Sequence, residues 1–250
     1  MHYLIQDTIF DIFLKILLKI KGLHSKNIHR IRMFIEAIYY IGRSGCQWRL
    51  LPFYYGDWRA VHKRFKQWSE KNIWKFIFES VQVDPDMEYA MIDSTIVRAN
   101  ACAAGYGKNS QEKQALGRSK SGFTTKIHAL VDALGNPLKI ILTPGQCSDI
   151  TQAENLVEEL LDCGLLADKG YDADKLREKL KKQRCIVTIP SRSNRKVPYK
   201  CDGDLYEERY KIECFFGKIK QFRRVFSRFD KTAQSFLSFV YFVGALIWLR

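Results

Sequence analysis

Residues 89–97 read YAMIDSTIV, and this apolar, β-branched run around a single Asp decides the fold. A run of this kind predicts a strand buried on both faces of a sheet. It follows residues 84–86 (DPD), where the helical spacing of apolar residues gives way to strand-like runs. The sequence therefore predicts an N-terminal helical domain at 1–84 and a second domain at 85–250.

The chain after this strand alternates further strands with helices. Residues 101–122 are rich in Gly, Ser and Lys, which predicts a mobile loop. A hairpin and two short strands come next, separated and followed by helical spacing. The predicted strands are 123–132, 138–143, 165–167 and 185–190, and the predicted helices are about 149–162, 172–183, 204–231 and 236–249. This order predicts an α/β fold with a mixed five-stranded sheet flanked by helices.

The first 84 residues predict a small all-α domain. Apolar spacing indicates helices at about 4–20, 29–43, 57–69 and 72–83. In the third helix Trp58, Val61, Phe65 and Trp68 predict a core face, while Arg59, Lys63 and Lys66 gather on the opposite side. Such a cationic row can follow a phosphate backbone or enter a major groove, although an ordinary solvated face has the same pattern.

The charge distribution favours the first of these interpretations. The 250 residues carry a formal net charge of +14, which is typical of proteins that bind a polyanion, either nucleic acid or an anionic membrane. The net charge is +7 for residues 1–85, −4 for 86–176 and +10 for 177–231. Two basic blocks thus flank an acidic centre, as expected for a polyanion held around a carboxylate-rich site.

The cysteines and the apolar ends of the chain bear on compartment. Seven cysteines, none in a C-x-x-C pair, predict neither a zinc site nor a disulfide framework, so a reducing cytoplasm is expected. The apolar start contains charged residues, and the apolar run 236–249 is shorter than the ~20 residues that span a bilayer. Both runs predict buried or amphipathic helices, and no membrane partner is expected.

One helix, predicted within 204–231, places a carboxylate among cations. Tyr206, Arg209, Glu213 and Lys220 fall within roughly a 60° arc at helical spacing, and Arg224 returns to the same arc. Ile212, Phe216 and Ile219 form the adjoining apolar stripe. A simple i,i+4 salt bridge between Arg209 and Glu213 would explain part of this pattern equally well.

Two further acids strengthen a catalytic interpretation. Asp93 interrupts an apolar strand, where an ionised carboxylate is costly unless it is compensated. Asp168 ends another strand, at the position where α/β sheets place ligands. Taken singly, Asp93 could be a hydrogen-bonded buried acid and Asp168 a helix N-cap. If Asp93, Asp168 and Glu213 converge, their oxygens suit Mg²⁺ or Mn²⁺, and two such ions can promote phosphoryl displacement.

Several motifs resemble those of the bacterial insertion-sequence DDE transposases, and the resemblance covers nearly the whole chain. They include IDSTIVRA around Asp93, LADKGYDAD around Asp168, and the spacing Y-x2-R-x3-E-x6-K that begins at Tyr206. The segments 117–149 and 42–68 also resemble parts of these proteins, the second being similar to the helical domain that precedes their catalytic core.

This resemblance implies a ribonuclease H-like core in which Asp93, Asp168 and Glu213 are the catalytic, metal-binding triad for two Mg²⁺ or Mn²⁺ ions. It implies DNA as the partner, both element ends and target, with at least a dimer on DNA in a bacterial cytoplasm, associated with the nucleoid. The implied DNA contacts are Tyr206, Arg209, Lys220, Arg223 and Arg224 near the cut, with Trp48, Arg59, Lys63 and Lys66 as candidates for the terminal repeats.

The reaction implied is cleavage at the element's end followed by transfer of the freed 3′-hydroxyl to a target strand. Two other functions use the same residue pattern. A ribonuclease H-like nuclease or resolvase would cut without joining, and a DNA-binding repressor would keep the acids only for structure.

Overall fold

The computed structural model describes residues 4–20, 27–103, 114–119 and 122–250. The helices, in chain order, are α1 (Asp7–Leu18), α2 (Ile28–Ser44), α3 (Trp58–Glu70), α4 (Ile73–Ser80), α5 (Ile150–Leu156), α6 (Asp174–Lys182), α7 (Gly203–Glu207), α8 (Tyr210–Lys220), α9 (Arg223–Phe226) and α10 (Ala233–Trp248). The strands are β1 (Tyr89–Ala99), β2 (Gly117–Ser119), β3 (Gly122–Val131), β4 (Pro137–Pro144), β5 (Gly164–Leu166), β6 (Ile186–Thr188) and β7 (Ser227–Arg228).

The chain forms two compact units. The first comprises Met1–Val83, Asn100–Gly105 and Ile219–Arg250, and the second comprises Asp84–Ala99 and Tyr106–Lys218. The break at Val83 lies where the sequence predicts a domain boundary. The C-terminal segment differs from the prediction of a second domain at 85–250, because it belongs to the first unit.

Aromatic packing explains why α10 belongs to the helical unit. The rings of Phe65 and Phe239 stack with centroids 4.5 Å apart, and Phe242 lies 5.5 Å from Trp74 and 6.0 Å from Phe13. Large aromatic side chains dominate the burial of apolar area in a core. The predicted apolar helix at 236–249 therefore completes the core of the N-terminal helices and not that of the sheet.

Short polar side chains and one glycine fix the ends of these helices. Asn27 accepts a hydrogen bond from the backbone N of Arg30 at the start of α2, and Thr232 accepts one from that of Ser235 at the start of α10. Gly45 ends α2 at φ 66°, and a Cβ there would lie 2.8 Å from that of Arg223. A glycine suits this position because any side chain would meet both strain and a close neighbour.

The second unit contains a mixed sheet. Strand β3 pairs antiparallel with β1, β4 and β2, whereas β5 runs parallel to both β1 and β6. The order β4-β3-β1-β5-β6 contains all five predicted strands, so the predicted ribonuclease H-like mixed sheet is confirmed. Buried side chains of β1, β5, α5 and α6 form the core of this unit.

Two predictions about local structure need correction. Part of the loop predicted at 101–122 is the strand β2, while residues 104–113 and 120–121 lie outside the described part of the chain. The single helix predicted within 204–231 is interrupted at Glu208 and Arg209 and ends at Lys220. At the interruption the backbone makes 3-10 hydrogen bonds, in which Lys211 N donates to Glu208 O and Ile212 N donates to Arg209 O.

Within the described ranges, no helix combines the length and apolar character needed to cross a bilayer.

Candidate active site

The parallel pairing of β1 and β5 brings two of the predicted acids together. Met91 pairs with Leu166, so two more residues along each strand lead to Asp93 and Asp168. The Asp168 charge acts on Asp93 strongly enough to contribute to its pKa. Asp168 begins a short 3-10 turn and accepts a hydrogen bond from Gly170 N at 2.8 Å. The expected N-cap and the proximity to Asp93 are therefore both present.

Arg209 links Asp93 to the third predicted acid. Its Nη1 lies 2.8 Å from Asp93 Oδ2, and its Nη2 donates to Glu213 Oε1. The i,i+4 salt bridge that the sequence allowed thus exists, but the same guanidinium also reaches across to the strand. Arg209 is 18% exposed and Asp93 is 20% exposed, whereas Glu213 is 59% exposed. Asp93, Arg209 and Glu213 therefore form one chain of contacts that begins within β1.

Asp93 is poorly compensated for a buried carboxylate. Burial raises its pKa above the ordinary value, and the charge of Asp168 acts in the same direction. The hydrogen bond from Ser94 N at 2.7 Å and the charge of Arg209 act against this rise without cancelling it. A buried group with a raised pKa beside a like charge marks a candidate functional site.

The donor set suits a divalent cation in its chemistry. Carboxylate oxygens are the ligands that Mg²⁺ and Mn²⁺ prefer, and Asp93, Asp168 and Glu213 supply only such atoms. As they stand, no three His, Cys, Asp or Glu side chains in the described ranges are grouped closely enough to hold a metal. Arg209 supplies positive charge to two of the three carboxylates.

Tyr206 lies beside Arg209 in spite of the helix interruption. The guanidinium carbon of Arg209 is 5.9 Å from the Tyr206 ring centroid, a cation–π distance. Tyr206 belongs to α7 and Glu213 to α8, and the tighter turn between them keeps the three side chains in sequence along one side. The predicted grouping of Tyr206, Arg209 and Glu213 therefore exists with a different backbone.

A second polar network next to Asp93 was not predicted. Asp149 accepts hydrogen bonds from Ser94 Oγ at 2.7 Å and from Lys126 Nζ, which lies 2.8 Å away. The side chain of Asp149 makes no capping bond at the start of α5. His128 Nε2 bonds to Thr143 Oγ1 at 2.8 Å, while its Nδ1 makes no hydrogen bond among the described residues and lies 3.9 Å from Asp149 Oδ1.

Tyr171 is the residue of this site that sequence reasoning missed. Its side chain is 1% exposed, and its hydroxyl has no hydrogen-bond partner among the described residues. Burial raises the pKa of Tyr171, and the charges of Asp93, Asp149 and Asp168 raise it further. Buried hydroxyls normally have a hydrogen-bond partner, so one without a partner that is close enough to three carboxylates for their charges to act on it is unusual. Its position three residues after Asp168 was the available signal.

In the first unit, the predicted basic face of α3 is present. Arg59, Lys63 and Lys66 are all exposed, while Val61 and Phe65 on the opposite side are buried. Asp57 accepts a hydrogen bond from Arg59 N and so caps the start of the helix. The cationic row that the sequence predicts is therefore exposed on one side of α3.

Two other predicted DNA contacts are occupied within the first unit. Arg224 is 4% exposed and donates to both carboxylate oxygens of Asp230, at 2.9 and 3.1 Å. Trp48 packs its ring 4.7 Å from that of His62 and 5.5 Å from that of Phe65. The predicted arc fails for Arg224 because α8 ends four residues earlier. Arg223 is exposed and Lys220 is half-buried.

Comparison with known proteins identifies related sequences along the chain. The family described as "Transposase DDE domain" matches residues 84–243, and the family described as "Putative transposase of IS4/5 family" matches residues 5–78. A putative transposase for insertion sequence element IS6501 from Brucella ovis is 47% identical over 133 residues, which cover 51% of this chain and all of that protein. The uncharacterized protein y4sN of Sinorhizobium fredii is 43% identical over 74 residues, covering 30% of this chain and 59% of that protein.

Solved structures give more distant matches. The piggyBac transposase in a synaptic complex with hairpin DNA matches at a TM-score of 0.42 and 14% identity, over 76% of this chain and 50% of that one. A pre-cleavage Mos1 transpososome matches at a TM-score of 0.29 and 10% identity, over 82% and 80%. The family matches cover most of the sequence and include the segments that contain all three acids. On this sequence evidence, the chain belongs to the insertion-sequence DDE transposases.

Proposed function

We propose that this chain cleaves the ends of an insertion element and joins them to target DNA, with Asp93, Asp168 and Glu213 as the catalytic carboxylates. The observation that carries the proposal is the contact chain in which Arg209 joins Asp93, within β1, to Glu213, while Asp168 follows the strand β5 that pairs with β1. Burial and the charge of Asp168 raise the pKa of Asp93, which supports a functional role for this carboxylate.

The reaction is two successive phosphoryl transfers. Water first bonds to the phosphorus at the element's end, the bond to the 3′-oxygen breaks, and a 3′-hydroxyl is released. That hydroxyl then bonds to a phosphorus of the target strand, and the target's own 3′-oxygen leaves. Divalent ions such as Mg²⁺ or Mn²⁺, two in the proposal, supply charge neutralisation and a lowered pKa for the attacking oxygen when bound.

Arg209 takes part by exchanging partners. In the structure it bonds to one oxygen of Asp93 and one of Glu213, and in this proposal it releases them when the carboxylates bind cations. A guanidinium released in this way is suited to bind a DNA phosphate with two parallel hydrogen bonds. Tyr206, whose ring lies against Arg209, contacts the same DNA in this proposal.

The proposed DNA contacts of the first unit are four exposed cations and the half-buried Lys220. Arg59, Lys63 and Lys66 of α3 bind the terminal repeats, and Lys220 and Arg223 bind phosphates near the cut. Trp48 and Arg224 are left out of the proposal because ring packing and the Asp230 ion pair occupy them. Because two ends must be joined together, the proposed assembly on DNA is at least a dimer.

A strand-transfer assay tests this function. DNA that ends in the element's terminal sequences is incubated with the protein, Mg²⁺ and a supercoiled target. The proposal expects joined products from the wild type and a loss of at least about a thousandfold for Asp93→Asn, since ligand loss removes a large electrostatic contribution. DNA affinity measured without metal should be unchanged.

The outcomes separate the alternatives. Cleavage without joining would favour a nuclease or resolvase, and binding without cutting by either protein would favour a repressor. The exposed Asp162, which pairs with Arg184, provides a matched control. Asp162→Asn removes the same charge from the same unit and should leave strand transfer at the wild-type level.

A further inference from the structure

The segment 191–200 (SRSNRKVPYK), called the basic loop here, has no role in the proposed function above. It connects β6 to α7 and contains cations but no acidic residue. Its cations are Arg192, Arg195, Lys196 and Lys200. A stretch of this composition is usually a solvated connection, so its contacts with the rest of the unit decide whether it is more than that.

A buried carboxylate fixes the start of the basic loop. The side chain of Asp172 is 1% exposed and accepts from Arg195 Nε at 2.8 Å and from Arg195 Nη2 at 2.9 Å. It also accepts from the backbone N of Arg192 and from Arg177 Nε, both at 2.9 Å. Because Asp172 lies four residues after Asp168, these bonds hold the loop close to the candidate triad.

The far end of the basic loop is fixed as well. The backbone N of Tyr199 donates to Ser191 Oγ at 2.8 Å, which closes the loop on itself. The Tyr199 ring centroid lies 4.1 Å from the guanidinium carbon of Arg177 and 4.9 Å from that of Arg195. A loop ordered in advance loses less conformational entropy when it binds a ligand.

One cation of the basic loop touches the turn that begins with Asp168. Arg192 Nη2 donates to Gly170 O at 2.6 Å and its Nε donates to Lys169 O at 3.2 Å, while Gly170 N donates to Asp168. Arg192 is exposed, so its remaining guanidinium hydrogens face solvent beside this turn. It lines an open concavity of about 620 Å³ together with Lys196 and Tyr199; Asp172 and Asp174 also line it, and both are paired with Arg195.

The remaining cations of the loop are available to a ligand. Lys196 and Lys200 are exposed and make no hydrogen bond or ion pair within the described ranges. Their charges are not offset by Asp172, which its arginines already compensate. Exposed lysines and an arginine on a preordered loop form the kind of surface that neutralises backbone phosphates.

We propose that the basic loop binds the phosphate backbone of duplex DNA next to the phosphodiester that reaches Asp168. This inference rests on the proposed function, because it takes the Asp168 turn as the place of reaction. It assigns Arg192, Lys196 and Lys200 to the DNA strand, and Asp172, Arg177 and Arg195 to holding the loop in place.

Salt-dependent DNA binding tests the inference without requiring catalysis. The double variant Lys196→Ala/Lys200→Ala removes two cations that have no contacts to lose. The control Lys181→Ala/Lys182→Ala removes two exposed cations from the end of α6 in the same unit. Affinity for duplex DNA is measured without divalent metal over a series of salt concentrations, and thermal unfolding is measured for each protein.

The loop variant should weaken binding by about tenfold at ~0.1 M salt and reduce the slope of log affinity against log salt by about 2. The control variant should match the wild type, and both should unfold at the wild-type temperature. Equal slopes for the two variants would overturn the inference. Strand transfer by the wild type is scored separately, so failure of the proposed function is distinguishable from failure of the loop assignment.

Discussion

Two carboxylates of the second unit are each bound by arginine, and they differ in how completely they are compensated. Asp172 accepts bonds from two guanidinium groups and a backbone N, and although burial works against it, the bonds from Arg195, Arg192 N and Arg177 lower its pKa to about 2. Asp93 shares a single arginine with Glu213 and has a raised pKa.

In the proposed function, this difference separates a structural acid, Asp172, from a catalytic one, Asp93. The charge of Asp172 is compensated by arginines within the unit, where this residue holds the basic loop in place. The carboxylate of Asp93 is mostly buried, and its hydrogen bonds and its ion pair do not fully offset the free-energy cost of desolvating its charge. The surplus negative charge beside Asp168 is what a bound cation would compensate.

The largest effect on stability is expected at Asp172 and the two arginines that bind it. Asp172→Asn leaves Arg177 without its counter-charge and Arg195 with only the exposed Asp174, and breaking a buried ion pair typically costs about 3–5 kcal/mol. Urea denaturation should show a loss of this size. If Asp172→Asn is as stable as the wild type, Asp172 does not hold the basic loop in place and is not a structural acid.

A buried group without any arginine gives the next largest effect. Burial lowers the pKa of His128 to about 4. Between about pH 6.5 and 4, this histidine is therefore protonated in the unfolded chain and neutral in the folded one. Stability is therefore full above pH 6.5 and falls as the pH drops toward 4, by up to about 3 kcal/mol from this group. The variant His128→Gln should flatten that part of the stability curve.

The exposed His29 provides the control for this pH dependence. His29→Gln should keep the wild-type decline between pH 6.5 and 4. An unchanged decline in His128→Gln would show that other groups cause the loss and that the buried network around Asp149 does not depend on a neutral His128.

A smaller effect of opposite sign is expected for Asp93. Because its pKa is raised in the fold, the charged carboxylate destabilises the protein at neutral pH, and this penalty disappears as the pH falls. Asp93→Asn should therefore increase the free energy of unfolding by about 1 kcal/mol at pH 7 without metal, and by nothing at a pH where the acid is protonated. A loss of stability at pH 7 would place Asp93 with Asp172 as a structural acid.

The smallest effect concerns the Tyr171 hydroxyl. Removing a buried hydroxyl without a partner removes a desolvation cost, so Tyr171→Phe should be neutral or stabilise the protein by less than about 1 kcal/mol. Thermal unfolding without metal measures this. A clear destabilisation would mean that the hydroxyl makes a hydrogen bond in solution and is compensated, as Asp172 is.

The sequence was informative where local patterns and strand-end chemistry decide the structure. The apolar run at β1 and the hairpin of β3 and β4 follow from side-chain periodicity, and the position of Asp168 at a strand end favoured a ligand site there. The i,i+4 contact of Arg209 with Glu213 was predictable from helical spacing alone.

Long-range contacts explain what the sequence could not give. The bond from Arg209 to Asp93 joins two segments far apart in the chain, and helical spacing says nothing about it. Arg224 was placed on a helix face that does not exist, because α8 ends at Lys220 and buried Phe222 redirects the chain. The bonds of Asp149 to Ser94 and Lys126 likewise depend on sheet pairing, which helical spacing does not show.

The central claim is that Asp93, Asp168 and Glu213 together bind divalent ions, and Mn²⁺ binding followed by electron paramagnetic resonance tests it most directly. The wild type should deplete the signal of free Mn²⁺ in a saturable manner, while Asp93→Asn, Asp168→Asn and Glu213→Gln should each weaken binding by at least about tenfold. Asp162→Asn should bind as the wild type does. Undiminished Mn²⁺ binding by the three triad variants would contradict the account.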